Sequence, residues 1–314
     1  MIKVDNLSKF YENVKAVKSI SFELNDGEVV GFLGANGAGK STTLKVITGY
    51  LSPTAGTVYV NDMDILHNTY EIQKQIGYLP ELNPLYGEMR VYDLLEFTAQ
   101  IRNISGKAFK NALARVVEQC GLKGVIHKNV AECSKGYKQR IGLACAMIHD
   151  PKILILDEAV TGLDPNQIVE IRNLIKDLGS EKLVFMSSHI LQEIQATVNR
   201  IIIIHKGEIV ADGTSEELMS GFMGNAKLTL EIKHAEETSV KELTEKIPHL
   251  TVIDTKIRSN SKILSLEYPK DQDPRESIFK YAIASKWVIT EMSLNSANLE
   301  SIFRNLTMEE TSNA

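Results

Sequence analysis

The sequence predicts an α/β core with an antiparallel sheet at its N-terminus and a helical insertion, followed by a small C-terminal α+β domain of ferredoxin-like order. Three observations carry this. The apolar run Val29-Val30-Gly31-Phe32-Leu33 reads as a buried strand, passes into a glycine-rich loop and emerges in the helical pattern Thr43 to Thr48. The run Ile153-Leu154-Ile155-Leu156 is apolar on both faces, as a central strand of a covered parallel sheet must be. After residues 220–225 the rhythm changes to β-α-β-β-α-β with a trailing helix. The 314 residues, 43% hydrophobic and 24% charged, supply core enough for two domains, drawn here as 1–222 and 226–314.

In the opening segment Ile20, Phe22 and Leu24 alternate with Ser19, Ser21 and Glu23, and Asn25-Asp26-Gly27 reads as a hairpin turn. With Ile2 to Leu7 this makes a small antiparallel sheet. Tyr11 falls in that sheet just before a turn. It is either a half-exposed strand tyrosine or a ring placed to stack on a base.

The glycine-rich loop is Gly34-Ala35-Asn36-Gly37-Ala38-Gly39-Lys40-Ser41-Thr42. Between a strand and a helix, the Gly-x-x-x-x-Gly-Lys-Ser spacing predicts a phosphate site. The glycines let backbone amides curl around an anion, and the helix N-terminus adds free donors and a partial positive charge. Lys40 then reaches the β- and γ-phosphates, and the Ser41 hydroxyl is placed to ligate Mg²⁺. Nucleotide binding is the expectation.

Further along, Ser52 to Gly56 is a turn, Thr57 to Val60 a strand, and Gly77-Tyr78-Leu79 a short strand stopped by Pro80. Glu81 is thereby fixed at a strand end, where ligands gather in α/β folds, although a plain surface carboxylate is the commoner case. From Val91 to Gly121 apolar residues recur at helical spacing, predicting a helical insertion. Cys133-Ser134-Lys135-Gly136-Tyr137 leads into another helix, with Ser134 as a natural N-cap and Gly136 permitting a close approach of the backbone.

The strand 153–156 ends in Asp157 and Glu158. Side chains alternate along a strand, so at least one of two adjacent acids at its end must face a site. Asp157 suits a contact to Mg²⁺ through water, and Glu158 suits the polarisation of an attacking water. Asp164-Pro165 predicts a capped helix start, with Asp164 as N-cap. Leu183 to Ser187 is a buried strand, and His189 just past its end is a candidate sensor of a γ-phosphate. Arg200 to Asp212 reads as a strand pair turning at Lys206-Gly207.

The C-terminal domain carries no metal, nucleophile or phosphate motif and reads as regulatory or interaction-forming. The formal charge of -5 argues against a chain-wide nucleic-acid footprint, and no nucleic-acid partner is expected. Three cysteines without a C-x-x-C pair read as reduced thiols. No signal-peptide pattern opens the sequence, and no run approaches the roughly 18 apolar residues of a spanning helix. A soluble, cytoplasmic chain is expected, linked to a membrane only through a partner.

In this order the motifs resemble the ATP-binding cassette (ABC) ATPase family across about the first 222 residues. The resemblance makes Tyr11 the adenine-stacking aromatic, Gly34 to Thr42 the Walker A loop, and Glu81 the Q-loop residue. Cys133 to Tyr137 become the signature, Ile153 to Asp157 Walker B with Glu158 after it, Asp164 the D-loop and His189 the switch histidine. It implies a P-loop ATPase core of ABC type and a Mg²⁺-dependent ATPase using Lys40, Glu158 and His189. Ser41, Glu81 and Asp157 would then serve the metal. A second ATP-binding subunit would bring Ser134, Lys135, Gly136 and Tyr137 over the γ-phosphate, and a separate integral membrane permease would hold the pair at the inner face of the membrane. The body is similar to subunits of multidrug-type or gliding-motility-associated exporters, which implies export. Two positions depart from the family pattern: Glu81 stands where glutamine is usual, and Lys135 where glycine is usual. A soluble ABC-type ATPase acting on a ribosome or DNA is the alternative.

Overall fold

The computed structural model describes residues 1–222, 226–235, 237–258, 260–269, 271–295 and 299–308. The chain divides into two units, Met1–Ser215 and Glu216–Ala314.

The first unit begins with β1 (Ile2–Tyr11), β2 (Val14–Leu24) and β3 (Val29–Leu33), then α1 (Lys40–Ile47). There follow β4 (Ala55–Val60), β5 (Met63–Asp64), α2 (Ile65–Gln75) and β6 (Ile76–Leu79). The helical insertion is α3 (Val91–Ile101), α4 (Gly106–Gln119) and α5 (Lys135–Met147). The unit closes with β7 (Ile153–Asp157), α6 (Pro165–Gly179), β8 (Leu183–Ser188), α7 (Leu191–Gln195), β9 (Arg200–His205) and β10 (Glu208–Thr214).

Two sheets result. The alternating strands form one in the order β2-β1-β4-β5, and the apolar strands form the other in the order β10-β9-β3-β8-β7-β6. Every residue of β3, β7 and β8 is buried, which explains why these strands occupy the middle of the second sheet and pair in parallel. Phe22 of the first sheet meets Phe32 and Phe185 of the second at ring-centroid distances of 6.0 and 5.7 Å, sealing the space between them. Each such ring contributes roughly 1.5–3 kcal/mol by leaving water.

The turn at Asn25-Asp26-Gly27 is not the hairpin that the sequence predicts. It carries the chain from β2 in one sheet to β3 in the other. A strand buried on both faces needs covered neighbours, and half-exposed β2 cannot supply that. The hairpin turns instead at Glu12-Asn13, between β1 and β2, with Glu12 at φ +49°. Strand β6 ends at Leu79, so Glu81 stands in the exposed turn beyond Pro80, not on the last strand residue. β5, α2 and α7 are additions that the sequence reading did not place.

The second unit takes up α8 (Ser215–Phe222), then β11 (Ala226–Lys233), α9 (Glu237–Lys246), β12 (Thr251–Arg258) and β13 (Ser261–Tyr268). It ends with α10 (Arg275–Ala284), β14 (Val288–Asn295) and α11 (Leu299–Met308). Its antiparallel sheet has the order β12-β13-β11-β14, which is the ferredoxin-like arrangement expected. Leu228, Leu230 and Ile232 of β11 and Leu264 and Leu266 of β13 share a core with Leu243 of α9 and Ile278 of α10. Tyr281 and Trp287 meet edge to face at 5.2 Å in the same core.

Candidate functional site

The parallel strands β3, β7 and β8 deliver their C-terminal ends to one place. After β3 the chain folds into the loop 34–39, whose base is buried and whose crest, Ala35 to Gly37, is exposed. Gly39 is the N-cap of α1 at φ +111°, a conformation that disfavours any residue with a Cβ, and no side chain caps the helix. A Cβ there would also overlap the Ala16 carbonyl of β2. The first-turn amides of α1 are therefore left for an anion, with the helix dipole behind them. Ala38 ties the loop to the β9–β10 turn through Gly207 N–H, which donates to its carbonyl at 3.0 Å.

Lys40 is 5% exposed. Its Nζ donates to the Gly34 carbonyl at 2.7 Å and the Ala35 carbonyl at 3.2 Å, and it stands 3.6 Å from Glu158 Oε1. A buried ammonium is tolerable only with such partners. Next along α1, Ser41 Oγ donates to Asp157 Oδ1 at 3.2 Å. The same carboxylate oxygen accepts from Ser187 Oγ of β8 at 2.6 Å. Ser187 Oγ in turn accepts from the Glu158 amide at 3.1 Å.

Glu158 leaves β7 with φ at +53°, an uncommon conformation that turns its side chain back towards the loop. Its Oε2 accepts from Thr161 Oγ1 at 2.8 Å and faces His189 Nδ1 at 2.8 Å. Lys40, Ser41, Asp157, Glu158 and His189 thus form one connected network. Sequence reasoning missed two members, Ser187 and Thr161. The signal for Ser187 was a polar residue closing the apolar run Leu183 to Met186.

Could this network hold a divalent cation? The Ser41 hydroxyl and the Asp157 carboxylate are hard oxygen donors beside a phosphate loop, the sparse protein set that Mg²⁺ accepts when phosphates and water complete its shell. The residues fit. Glu81 is exposed and has no hydrogen bond to Ser41 or Asp157 among the described residues. Between them lies Tyr78, whose phenol is pushed up by burial and then by the charges of Asp157, Tyr50 and Glu81. Tyr11 ends β1, 43% exposed, with Lys9 Nζ 5.5 Å from its ring centroid.

A second cluster surrounds the start of α5. Ser134 Oγ accepts from the Tyr137 amide at 3.3 Å, capping the helix. Gly136 is buried, and a Cβ on it would overlap the Gln167 carboxamide of α6. Asp164 Oδ1 caps α6 by accepting from the Gln167 amide at 3.0 Å. The Lys135 ammonium lies against Gly162. Arg140 and Glu170 pair across the two helices, and Tyr137 is 38% exposed. Ser134 to Tyr137 and Asp164 therefore come together at one corner, exposed except for Gly136.

Among the described residues no helix is long and apolar enough to cross a membrane. All three cysteines are free.

Residues 17–161 match the family model described as ABC transporter. Over 303 residues the chain is 32% identical to the Uncharacterized ABC transporter ATP-binding protein YxlF of Bacillus subtilis (strain 168), covering 96% of this chain and 98% of that protein. It is 38% identical over 214 residues to the Bacitracin transport ATP-binding protein BcrA of Bacillus licheniformis, covering 68% and 69% respectively. A solved structure of an ATP binding subunit of an ABC transporter superposes with a TM-score of 0.65 at 28% identity, covering 71% of this chain and 93% of that one.

Proposed function

The chain belongs to the ATP-binding subunits of ABC transporters, and from that premise we propose that it binds and hydrolyses ATP to drive a separate membrane permease. The observation that carries this is the placement of Glu158, with one carboxylate oxygen facing Lys40 and the other held by His189 and Thr161.

On this reading the loop amides from Gly34 to Thr42 cradle the phosphates, and Tyr11 offers its ring to the adenine. Lys40 exchanges the Gly34 and Ala35 carbonyls for phosphate oxygens, since an ammonium prefers an anion to two neutral acceptors. Moving Lys40 frees Glu158 Oε1 to accept a hydrogen bond from the attacking water. His189 stays anchored through Nδ1 and turns Nε2 to the γ-phosphate. Mg²⁺ bound at Ser41 and Asp157, with Glu81 reaching in from its turn, would neutralise charge on the β- and γ-phosphates.

Among the described residues the crest of the loop, Ala35 to Gly37, is exposed. A second copy or a related subunit completes the site, with Ser134, Lys135, Gly136 and Tyr137 over the γ-phosphate and Asp164 beside them. Closure on ATP and release after hydrolysis supply the stroke. The exposed apolar side chains Leu82, Tyr86 and Phe97 next to the Glu81 turn offer the permease a surface. The cargo moves outward, and the chain sits on the cytoplasmic face of the membrane through that permease. The C-terminal unit, Glu216–Ala314, is an accessory domain that follows the cassette in sequence.

Calorimetric titration of ATP into the chain and into Lys40→Ala tests the loop. Affinity drops at least tenfold in the variant, and equal affinities would remove Lys40 from the site. Phosphate release with Mg²⁺, and its loss with EDTA, tests the metal assignment. Sedimentation with permease-containing membranes separates the transporter from a ribosome- or DNA-bound ATPase.

A further inference from the structure

Strand β12 is an edge of the C-terminal sheet, pairing only with β13 among the described residues. Seven of its eight residues are exposed, Val252 being the exception. Ile253 and Ile257 are 48% and 77% exposed. Such an edge presents outward amides and carbonyls ready for another strand.

The side chains along it follow a pattern. A bulge falls at Ile253. Past it, Asp254 and Lys256 lie opposite Ser265 and Ile263, on the sheet face turned away from α9 and α10, and approach each other to 3.9 Å. Thr255 lies opposite buried Leu264, on the helix-covered face. Two copies of an edge can pair antiparallel about a twofold axis only if the axis passes through a residue, because facing residues must share hydrogen-bonding parity. An axis at Asp254 or at Lys256 would set like charges against each other. An axis at Thr255 sets Asp254 of each copy across from Lys256 of the other, on one face, and brings Ile253 level with Ile257. The charge pattern selects that register.

The same edge carries a groove between α9 and β12, its apolar wall formed by Val240, Leu250, Val252 and Ile257 and its polar wall including Lys241 and Lys262. Pairing of two edges would bring the two grooves together.

We propose that β12 is a self-association edge whose occupant is β12 of a second copy of this chain, joined antiparallel about Thr255 so that two four-stranded sheets become one of eight. The contact does not require nucleotide. It is short, and it acts by keeping a second cassette at high local concentration.

The test is disulfide trapping in the full-length chain carrying Thr255→Cys. Residues directly opposite in an antiparallel pair have Cβ atoms about 4.5–5.5 Å apart, close to the span of a disulfide. Oxidation gives a cross-linked dimer without nucleotide, and the parent chain with its three native cysteines gives none. Adding Lys256→Asp cuts the yield about tenfold, because both cross-strand pairs become repulsive. Adding Asp254→Lys as well restores it. No cross-link at position 255, or a yield indifferent to Lys256→Asp, overturns the proposal. ATP-dependent dimerisation of Glu158→Gln, followed by chromatography, reads the pairing of the cassettes separately, so failure of either contact is recognised by itself.

Discussion

His189 Nδ1 lies 2.8 Å from Glu158 Oε2, an oxygen that already accepts from Thr161 Oγ1 at the same distance. A carboxylate only accepts, so Nδ1 carries the proton and the neutral ring keeps Nε2 as an acceptor. Donation from Nε2 to a phosphate oxygen then requires the imidazolium. Glu158 thus turns its two oxygens to different partners: Oε1 to the Lys40 ammonium and Oε2 to the His189 ring and the Thr161 hydroxyl.

Replacing Glu158 by Gln keeps the shape and removes the charge. The amide cannot take up a proton from water, so phosphate release is expected to fall by roughly 10²–10⁴-fold. ATP affinity stays within a few-fold of the parent, and the ATP-bound dimer accumulates on a sizing column. A variant that turns over ATP at the parent rate would take Glu158 out of its role.

Ser187 is fully buried and bridges Asp157 Oδ1 and the Glu158 amide. Ser187→Ala leaves a buried carboxylate short of a donor and a buried N–H short of an acceptor, which costs about 1–3 kcal/mol. We expect kcat to drop more than the affinity for ATP, and Ser187→Thr to recover part of the rate. A loss of thermal stability with unchanged kcat would show that Ser187 only supports the fold.

Much of this site was legible in the sequence because it depends on spacing. The glycine loop, the acids after an all-apolar strand, and the Asp164-Pro165 helix start each announce themselves within a few residues, and all lie where the reading placed them. What stayed hidden depends on pairing between distant strands. Nothing near Asn25 reveals that β2 and β3 join different sheets, since that choice is made by the burial demands of β3. Ser187 meets Asp157 only because β7 and β8 are in register, Asp157 opposite Ser187. The ferredoxin-like order was readable, whereas the bulge that fixes which face Asp254 and Lys256 occupy was not.

His149 gives a pH dependence of stability. Its Nε2 faces the Ile76 carbonyl at 3.2 Å and its Nδ1 has no partner. Burial, then the charge of Arg102, lowers its pKa to about 4. The unfolded value is about 6.5. As pH falls below that value the unfolded chain takes up a proton that the native state refuses, so stability is lost between about pH 6.5 and 4. Allowing for partial exposure, the loss is about 2 kcal/mol. In urea titrations at pH 7 and 4.5, His149→Gln should lose less stability than the parent, because its carboxamide still donates to Ile76 and does not titrate. Identical losses would place the acid sensitivity elsewhere.

Gly136 has two possible duties: letting a nucleotide on a second copy come close, and making room for Gln167. The overlap between a Cβ at 136 and the Gln167 carboxamide concerns the end of a flexible side chain, so Gly136→Ala should fold with a modest loss, about 1 kcal/mol. Gln167→Ala removes the clash, and the double variant should recover that stability in thermal melts. If Gly136 serves only packing, the double variant also recovers ATP turnover. If its backbone meets the γ-phosphate of the opposite site, turnover stays low although the fold is restored, because the extra methyl still stands where the phosphate must approach. We expect the second outcome, measured as phosphate release at saturating ATP, since Ser134 caps the same helix start through the Tyr137 amide and the first-turn amides before it have no partner within the helix.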